Sequence, residues 1–216
     1  MRKNNLSVQY LTRIAVLTAL GSILFMIEIP VVAFYKLDLS NLPVLLGAFS
    51  MGPMAGMIIL LLKSMIGMLH STSMYVGELA DFIMGAAYVL PAALIYRAGK
   101  CKPADIAISF NGGAAENGNA KGRRSALIGM TVGTVVMIIV AVLVNWKIMI
   151  PFYMNAYGMP MEAVVGMATK VLPFVDTEWK LLLFVTAPFN LLKGIVLSLL
   201  TYLMYKRLSP LLHVRR

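Results

Sequence analysis

The sequence predicts an all-α integral membrane protein with six transmembrane helices, of which the second is short, and with both termini in the cytosol. Of the 216 residues, 60% are hydrophobic and 13% are charged, against about 45–50% and about 25% in soluble domains. Several apolar runs approach or exceed the ~20 residues that cross a bilayer. The formal charge of +10 comes largely from basic residues at the ends of those runs, the distribution that orients membrane helices.

The apolar runs lie at about residues 14–34, 42–69, 78–97, 125–146 and 181–205. As a single helix, the second run would be ~42 Å long, which exceeds the ~30 Å of a hydrocarbon core. Gly52 and Pro53 interrupt this run, and the chain can reverse there because proline donates no helical hydrogen bond. We therefore expect a short segment at 42–51 and a longer one at 54–70, which makes six in total.

Six segments place the basic residues of both chain ends and of the middle connection on one side. That side is the cytosol by the positive-inside tendency. The predicted organisation is a single membrane domain over 1–216, with a flexible cytosolic loop at 98–124 and an extracellular segment at 151–180. The extracellular segment is long enough to hold an additional interfacial helix.

No motif of an ATP-binding loop, a zinc protease or a serine hydrolase occurs. The single cysteine, Cys101, forms no internal disulfide, and the basic residues are not gathered as a nucleic-acid surface requires. We predict no enzyme, no metal site and no cofactor. An intramembrane enzyme that uses Glu78 and Asp81 as acid and base remains the alternative from a different class.

The stretch "APFNLLKGIVLSLL" places Asn190 and Lys193 inside the last apolar run. A lysine at mid-depth costs about 2.5–3.5 kcal/mol on insertion scales, so it should face a polar cavity or a partner. Asn190 and Lys193 share one helix face, which Thr186 extends, and Pro188 leaves a backbone carbonyl without its donor. The alternative is that these groups only hold helices together, with Lys193 paired to Glu78 or Asp81.

Further polar residues collect toward the same outer side. They are Lys36, Asp38, Ser40 and Asn41 after the first segment, Glu78 and Asp81 at the start of the fourth, and Asn145 at the end of the fifth. Trp146 and Tyr153 are expected to be interfacial anchors. An apolar and aromatic pocket with a few amide and charged groups suits a small planar polar ligand, because an asparagine both donates and accepts hydrogen bonds.

Four stretches carry a resemblance to a known family: "KLDLSNLPVLLGAFSMGPMAG", "VGELADFIMG", "NW" with "PFY", and "PFNLLKG". With them the chain, from about residue 9 to 207, resembles the riboflavin-specific substrate-binding (S) component of energy-coupling factor (ECF) vitamin transporters. The resemblance implies high-affinity capture of riboflavin in an outward-facing pocket, with riboflavin as the transported ligand and not a cofactor. Components for thiamine, folate or pantothenate are the alternatives within the same class.

The resemblance also implies partners and site residues. The partners are a transmembrane coupling subunit and two cytosolic ATPases in the cell membrane of a prokaryote, where Ala15 and Ala19 of the first helix would contact the coupling subunit. The ring of riboflavin would be held by Asn145, Asn190 and Lys193. A closing outer loop would contribute Leu37, Asp38 and Asn41, and Glu78 would meet the hydroxyls of the ribityl chain.

Overall fold

A computed structural model describes residues 8–32, 35–71, 73–100 and 114–212. The described chain is mostly helical. Its elements in chain order are α1 (Val8–Met26), β1 (Ile29–Val32), β2 (Tyr35–Leu37), α2 (Asn41–Met51), α3 (Pro53–Met68), α4 (Val76–Lys100), α5 (Ala114–Val144), α6 (Ile150–Ala156), α7 (Met161–Thr169), α8 (Glu178–Leu181) and α9 (Ala187–Leu212).

Four helical stretches of the described chain are long and apolar enough to cross a membrane: Val8–Met26, Val76–Gly99, Gly122–Ala156 and Glu178–Met204. The helices α2 and α3 are apolar but shorter. The chain breaks between them at Gly52, as predicted, where the backbone has φ of 107°. This conformation favours glycine, and Pro53 then opens α3 in the first turn, where no N–H is needed.

The prediction of a wholly α-helical chain is wrong at one place. The first helix ends at Met26 and not near residue 34, and an antiparallel hairpin of β1 and β2 follows it. Ile29 pairs with Leu37 and Pro30 with Lys36. Isoleucine, valine and tyrosine favour extended backbone. Tyr35 and Asp38 lie in and directly after the second strand of this hairpin, just before the start of α2.

Two widened, π-helical turns interrupt the long helices, at Asn145–Met149 before α6 and at Leu182–Thr186 before α9. Each ends two residues before a proline, Pro151 or Pro188. Because a proline cannot donate to the carbonyl four residues earlier, the preceding turn is free to widen. The donor missing at Pro188 is thus accommodated by a widened turn that contains Thr186 and directly precedes α9, the helix of Asn190.

The main core joins α1, α2, α3, α4, α5 and α9. Its fully buried members include Val44, Leu45, Ile59, Leu60, Tyr88, Val89 and Leu197. At Gly133 of α5, an added Cβ atom would lie 2.4 Å from the carbonyl oxygen of Tyr88. Only glycine permits this close approach of α5 to α4. A second cluster packs α7 and α8 against Tyr35, Ile150 and Val185.

The two predicted connecting segments are more helical than expected. In the predicted loop at 98–124, α4 continues to Lys100 and α5 begins at Ala114; Cys101 lies outside the described residues. In the segment at 151–180, α7 (Met161–Thr169) is the additional helix for which room was expected. The cytosolic and extracellular assignments of these segments, and of both termini, stay predictions.

Candidate ligand-binding site

A cavity of about 370 Å³ lies between the hairpin, α4, the widened turn at Asn145–Met149, α6, α7 and α9. Such a volume is at the lower end of the range for pockets that hold small organic ligands. Five of the seven predicted binding residues line it: Asp38, Glu78, Asn145, Asn190 and Lys193. The rest of the lining includes Phe25, Glu28, Tyr35, Lys36, Ser73, Met84, Met149, Tyr153, Tyr157, Met159, Val164, Met167 and Phe189.

Two carboxamides form one wall of the cavity. The Nδ2 atom of Asn145 donates to the Ala141 carbonyl at 2.8 Å, and its Oδ1 atom accepts from the Tyr35 hydroxyl at 3.1 Å. The Nδ2 atom of Asn190 donates to the Thr186 carbonyl at 2.9 Å. Both amides are therefore fixed in orientation by the backbone one helical turn earlier. The Asn190 Oδ1 atom accepts no hydrogen bond from the described residues, so it can accept one from a ligand.

Two lysines, two aspartates and a serine form a closed ring of contacts beside the cavity, here called the ion-pair ring. Its members are Lys63, Asp81, Lys193, Asp38 and Ser40. Lys63 donates to Asp81 Oδ2 at 2.9 Å, and Lys193 donates to Asp81 Oδ1 at 3.0 Å and to Asp38 Oδ2 at 2.8 Å. The Ser40 hydroxyl donates to Asp38 Oδ1 and accepts from Lys63.

The ion-pair ring is buried and electrically balanced, with two ammonium groups and two carboxylates. Lys63 is fully buried and Lys193 is 5% exposed. Buried charges persist only when they are paired and hydrogen-bonded, and here all four carboxylate oxygens have a partner. Lys193 uses two of its three N–H donors in the ring. The third donor is left for the cavity that this lysine lines.

Aromatic and apolar side chains form the opposing walls. The rings of Tyr35 and Phe189 lie 5.1 Å apart at 41°, and Met84, Met149 and Met159 line the cavity beside them. The Tyr35 hydroxyl contacts Thr186 as well as Asn145. Burial raises the pKa of Tyr35 above its ordinary value, so this group is a neutral hydroxyl. Such walls suit a flat, uncharged ring system.

Glu78 stands apart from the ion-pair ring. Its Oε2 atom accepts from the hydroxyls of Ser71 at 2.8 Å and Ser73 at 3.1 Å. These serines also accept from the backbone N–H groups of Tyr75 and Gly77. The loop before α4 thus positions this carboxylate at the cavity.

Some predicted residues do not line the cavity, and some lining residues were not predicted. Leu37 and Asn41 flank Asp38 but do not line the cavity. Tyr153, expected to be an interfacial anchor, lines it. Ala15 and Ala19 are exposed on α1. Lys63 lies inside the apolar run at 42–69, and the cost of a buried lysine, as argued for Lys193, was the signal that could have indicated the ion-pair ring.

The pairing of Lys193 with Asp81, considered from the sequence as a purely structural alternative, is observed. Lys193 nevertheless lines the cavity. The ion pair and the cavity position therefore occur together, and the structural contact does not remove the lysine from the site.

Comparisons with known proteins agree on one class of protein. The Riboflavin transporter RibU of Staphylococcus aureus (strain TCH60) is 29% identical over 205 residues, which cover 94% of this chain and 91% of that protein. The Riboflavin transporter FmnP of Bacillus subtilis (strain 168) is 23% identical over 217 residues, which cover 98% and 97%.

A solved structure is also similar. It is described as "Structure and mechanism of the S component of a bacterial ECF transporter" and superposes with a TM-score of 0.64 at 29% sequence identity, covering 94% of this chain and 96% of that one. The family model "ECF transporter, substrate-specific component" matches residues 9–205. Since this match spans nearly the whole chain and the fold agrees with it, the chain belongs to the family of substrate-specific components of ECF transporters.

Proposed function

We propose that this protein captures riboflavin with high affinity in an outward-facing pocket and delivers it for ATP-driven uptake. The observation that carries the proposal is the cavity in which Asn145, Asn190 and Lys193 meet aromatic and apolar walls. The names of the relatives from Staphylococcus aureus and Bacillus subtilis support the same ligand. Those relatives are transporters, and the two oxygens of Asp81 are both bonded to lysines, which disfavours an acid–base enzyme.

In this proposal the polar edge of the isoalloxazine ring faces the amides and Lys193. The free Oδ1 atom of Asn190 accepts a ring N–H, and the third donor of Lys193 binds a ring carbonyl. Because the ion-pair ring balances the charge of Lys193, this lysine offers a directed donor without an excess positive charge, which suits a neutral isoalloxazine ring. Asp38 and its neighbours Leu37 and Asn41 belong to the segment that closes over the ligand, and Glu78 accepts from hydroxyls of the ribityl chain.

Charge separates riboflavin from folate and pantothenate. Both of these vitamins carry carboxylates, and the cavity is lined by the Glu78 carboxylate, which is bonded to serine hydroxyls and not to a cation of the described residues. Like charges repel strongly in a poorly solvated site. Thiamine carries a positive charge and is not disfavoured in this way. Thiamine is therefore the competitor that matters most in a binding test.

Purified protein is expected to bind riboflavin and quench its fluorescence, because the ring would be enclosed between aromatic side chains. As purified, the protein should be yellow because of bound flavin. This ligand is then removed, and the measurement is a fluorescence titration with riboflavin in detergent. Thiamine, folate and pantothenate serve as competitors at excess. A colourless preparation that leaves added riboflavin fluorescence unchanged, or displacement of riboflavin by thiamine, would rule out the flavin assignment.

Replacing both Ala15 and Ala19 by leucine is expected to abolish most uptake and leave riboflavin binding intact. These alanines are exposed on α1, and two small residues four apart allow close packing of a partner helix, here the coupling subunit. Uptake is measured in cells that also contain the coupling subunit and the two ATPases. Ala163→Leu, an exposed alanine of α7, is the matched control. Equal loss of binding and uptake in the double variant would indicate misfolding and contradict the contact.

A further inference from the structure

The charges that line the cavity do not balance. The charged side chains in the lining are Glu28, Asp38, Glu78, Asp81, Lys36 and Lys193. The ammonium of Lys36 bonds Glu28 at 2.5 Å, and the ion-pair ring neutralises both aspartates. Glu78 is therefore the lining carboxylate that contacts no ammonium or guanidinium group in the described ranges of the chain.

The groups around Glu78 do not replace a cation. Ser71 and Ser73 each have one hydroxyl proton, and both protons are donated to Glu78 Oε2. Neither serine keeps a proton that it could donate to an anionic ligand. Glu78 is 8% exposed, so water screens its charge only partly. The Oε1 atom accepts no hydrogen bond from the residues that the structure describes, which leaves it able to accept from a ligand hydroxyl.

We propose that the uncompensated Glu78 carboxylate is a specificity-determining group that makes this cavity select the free vitamin over its phosphate ester. The inference rests on the proposed riboflavin function. Glu78 lies three residues before Asp81 on α4, which is ~4.5 Å along the helix axis toward its N-terminus, and both residues line the cavity from one face of the helix. If Lys193 holds the isoalloxazine ring of riboflavin, the ribityl chain of the ligand would extend toward Glu78.

A hydroxyl and a phosphate differ there in sign and in hydrogen bonding. A ribityl hydroxyl donates to the carboxylate. A phosphate monoester carries a charge of about −1.5 to −2 near neutral pH and presents mainly acceptor oxygens. Like charges brought together in a poorly solvated site repel strongly. The ammonium of Lys36 is already paired with Glu28, so a phosphate that approached it would also meet the negative charge of Glu28.

The test compares the dissociation constants of riboflavin and riboflavin 5′-phosphate for the unaltered protein and for Glu78→Gln. The unaltered protein should bind riboflavin more tightly. In Glu78→Gln, the ratio of the two constants should shift toward the phosphate by about tenfold or more, since the charge repulsion is removed and the side-chain shape is kept. Glu162→Gln makes the same chemical change at an exposed position of α7 outside the lining and should leave both constants unchanged.

Equal binding of both compounds by the unaltered protein, or a ratio of the two constants that is unchanged in Glu78→Gln, would each overturn the inference. Absence of riboflavin binding in the unaltered protein would instead overturn the proposed function, and the inference with it.

Discussion

Riboflavin affinity is expected to fall by about 1–3 kcal/mol, roughly 5- to 150-fold, when Lys193 is replaced by methionine. Lys193 lines the cavity, and two of its donors are held by Asp38 at 2.8 Å and Asp81 at 3.0 Å. The variant removes the remaining donor from the polar edge of the ligand. It also leaves the ion-pair ring with an excess negative charge. A fluorescence titration with riboflavin measures the loss.

Lys63→Met is the matched control for that experiment. It removes one ammonium group from the ion-pair ring and leaves the same excess negative charge, but Lys63 does not line the cavity. The loss of affinity that is specific to Lys193→Met therefore reports the ligand contact. Equal affinities in the two variants would show that Lys193 acts only through the ion-pair ring.

A large loss of stability is also expected from Lys63→Met itself. Lys63 is fully buried, donates to Asp81 at 2.9 Å and lies 4.9 Å from the ring centroid of Phe25. Removing one partner of a buried ion pair leaves an uncompensated charge and costs about 3–5 kcal/mol. Thermal unfolding in detergent, followed by circular dichroism, should show a markedly lower Tm than that of the unaltered protein.

A second substitution tests whether the loss of stability comes from the excess negative charge or from the changed side-chain shape at residue 63. In the double variant Lys63→Met with Asp81→Asn, the ion-pair ring keeps one lysine, Lys193, and one aspartate, Asp38, so it is neutral again. The double variant should therefore recover part of the lost Tm, as a coupling between contacting residues requires. Unfolding of Lys63→Met at the temperature of the unaltered protein, or a further loss in the double variant, would contradict the charge-balance argument.

Much of the candidate site was predictable from single residues in unusual places. A lysine and an asparagine inside the apolar run at 181–205 predicted a polar cavity, because isolated polar groups are unfavourable in lipid. The break at Gly52 and Pro53 was predictable from local backbone chemistry, because proline ends a helical hydrogen-bond pattern. Both inferences need only a residue and its immediate neighbours.

Other features were not predictable, because they depend on contacts between distant parts of the chain. The hydrogen bonds of Tyr35 to Asn145 and Thr186 join residues more than 100 positions apart. The hairpin at 29–37 consists of apolar residues that continue the first run, so hydropathy could not separate it from the helix. The start of α5 within a Gly- and Asn-rich segment likewise contradicted its composition, since helix propensity is only a weak preference.

The sequence by itself determined the membrane class, the segmentation at Gly52 and the family resemblance, since these depend on composition, on local backbone chemistry and on ordered motifs. Only the tertiary structure decided how the charges are paired. Asp38, Lys63, Asp81 and Lys193 come from four separate segments, and their spacing along the chain contains no information about distance in space. The fold places them within hydrogen-bond reach, where desolvation makes pairing obligatory, and leaves Glu78 without a cationic partner among the described residues.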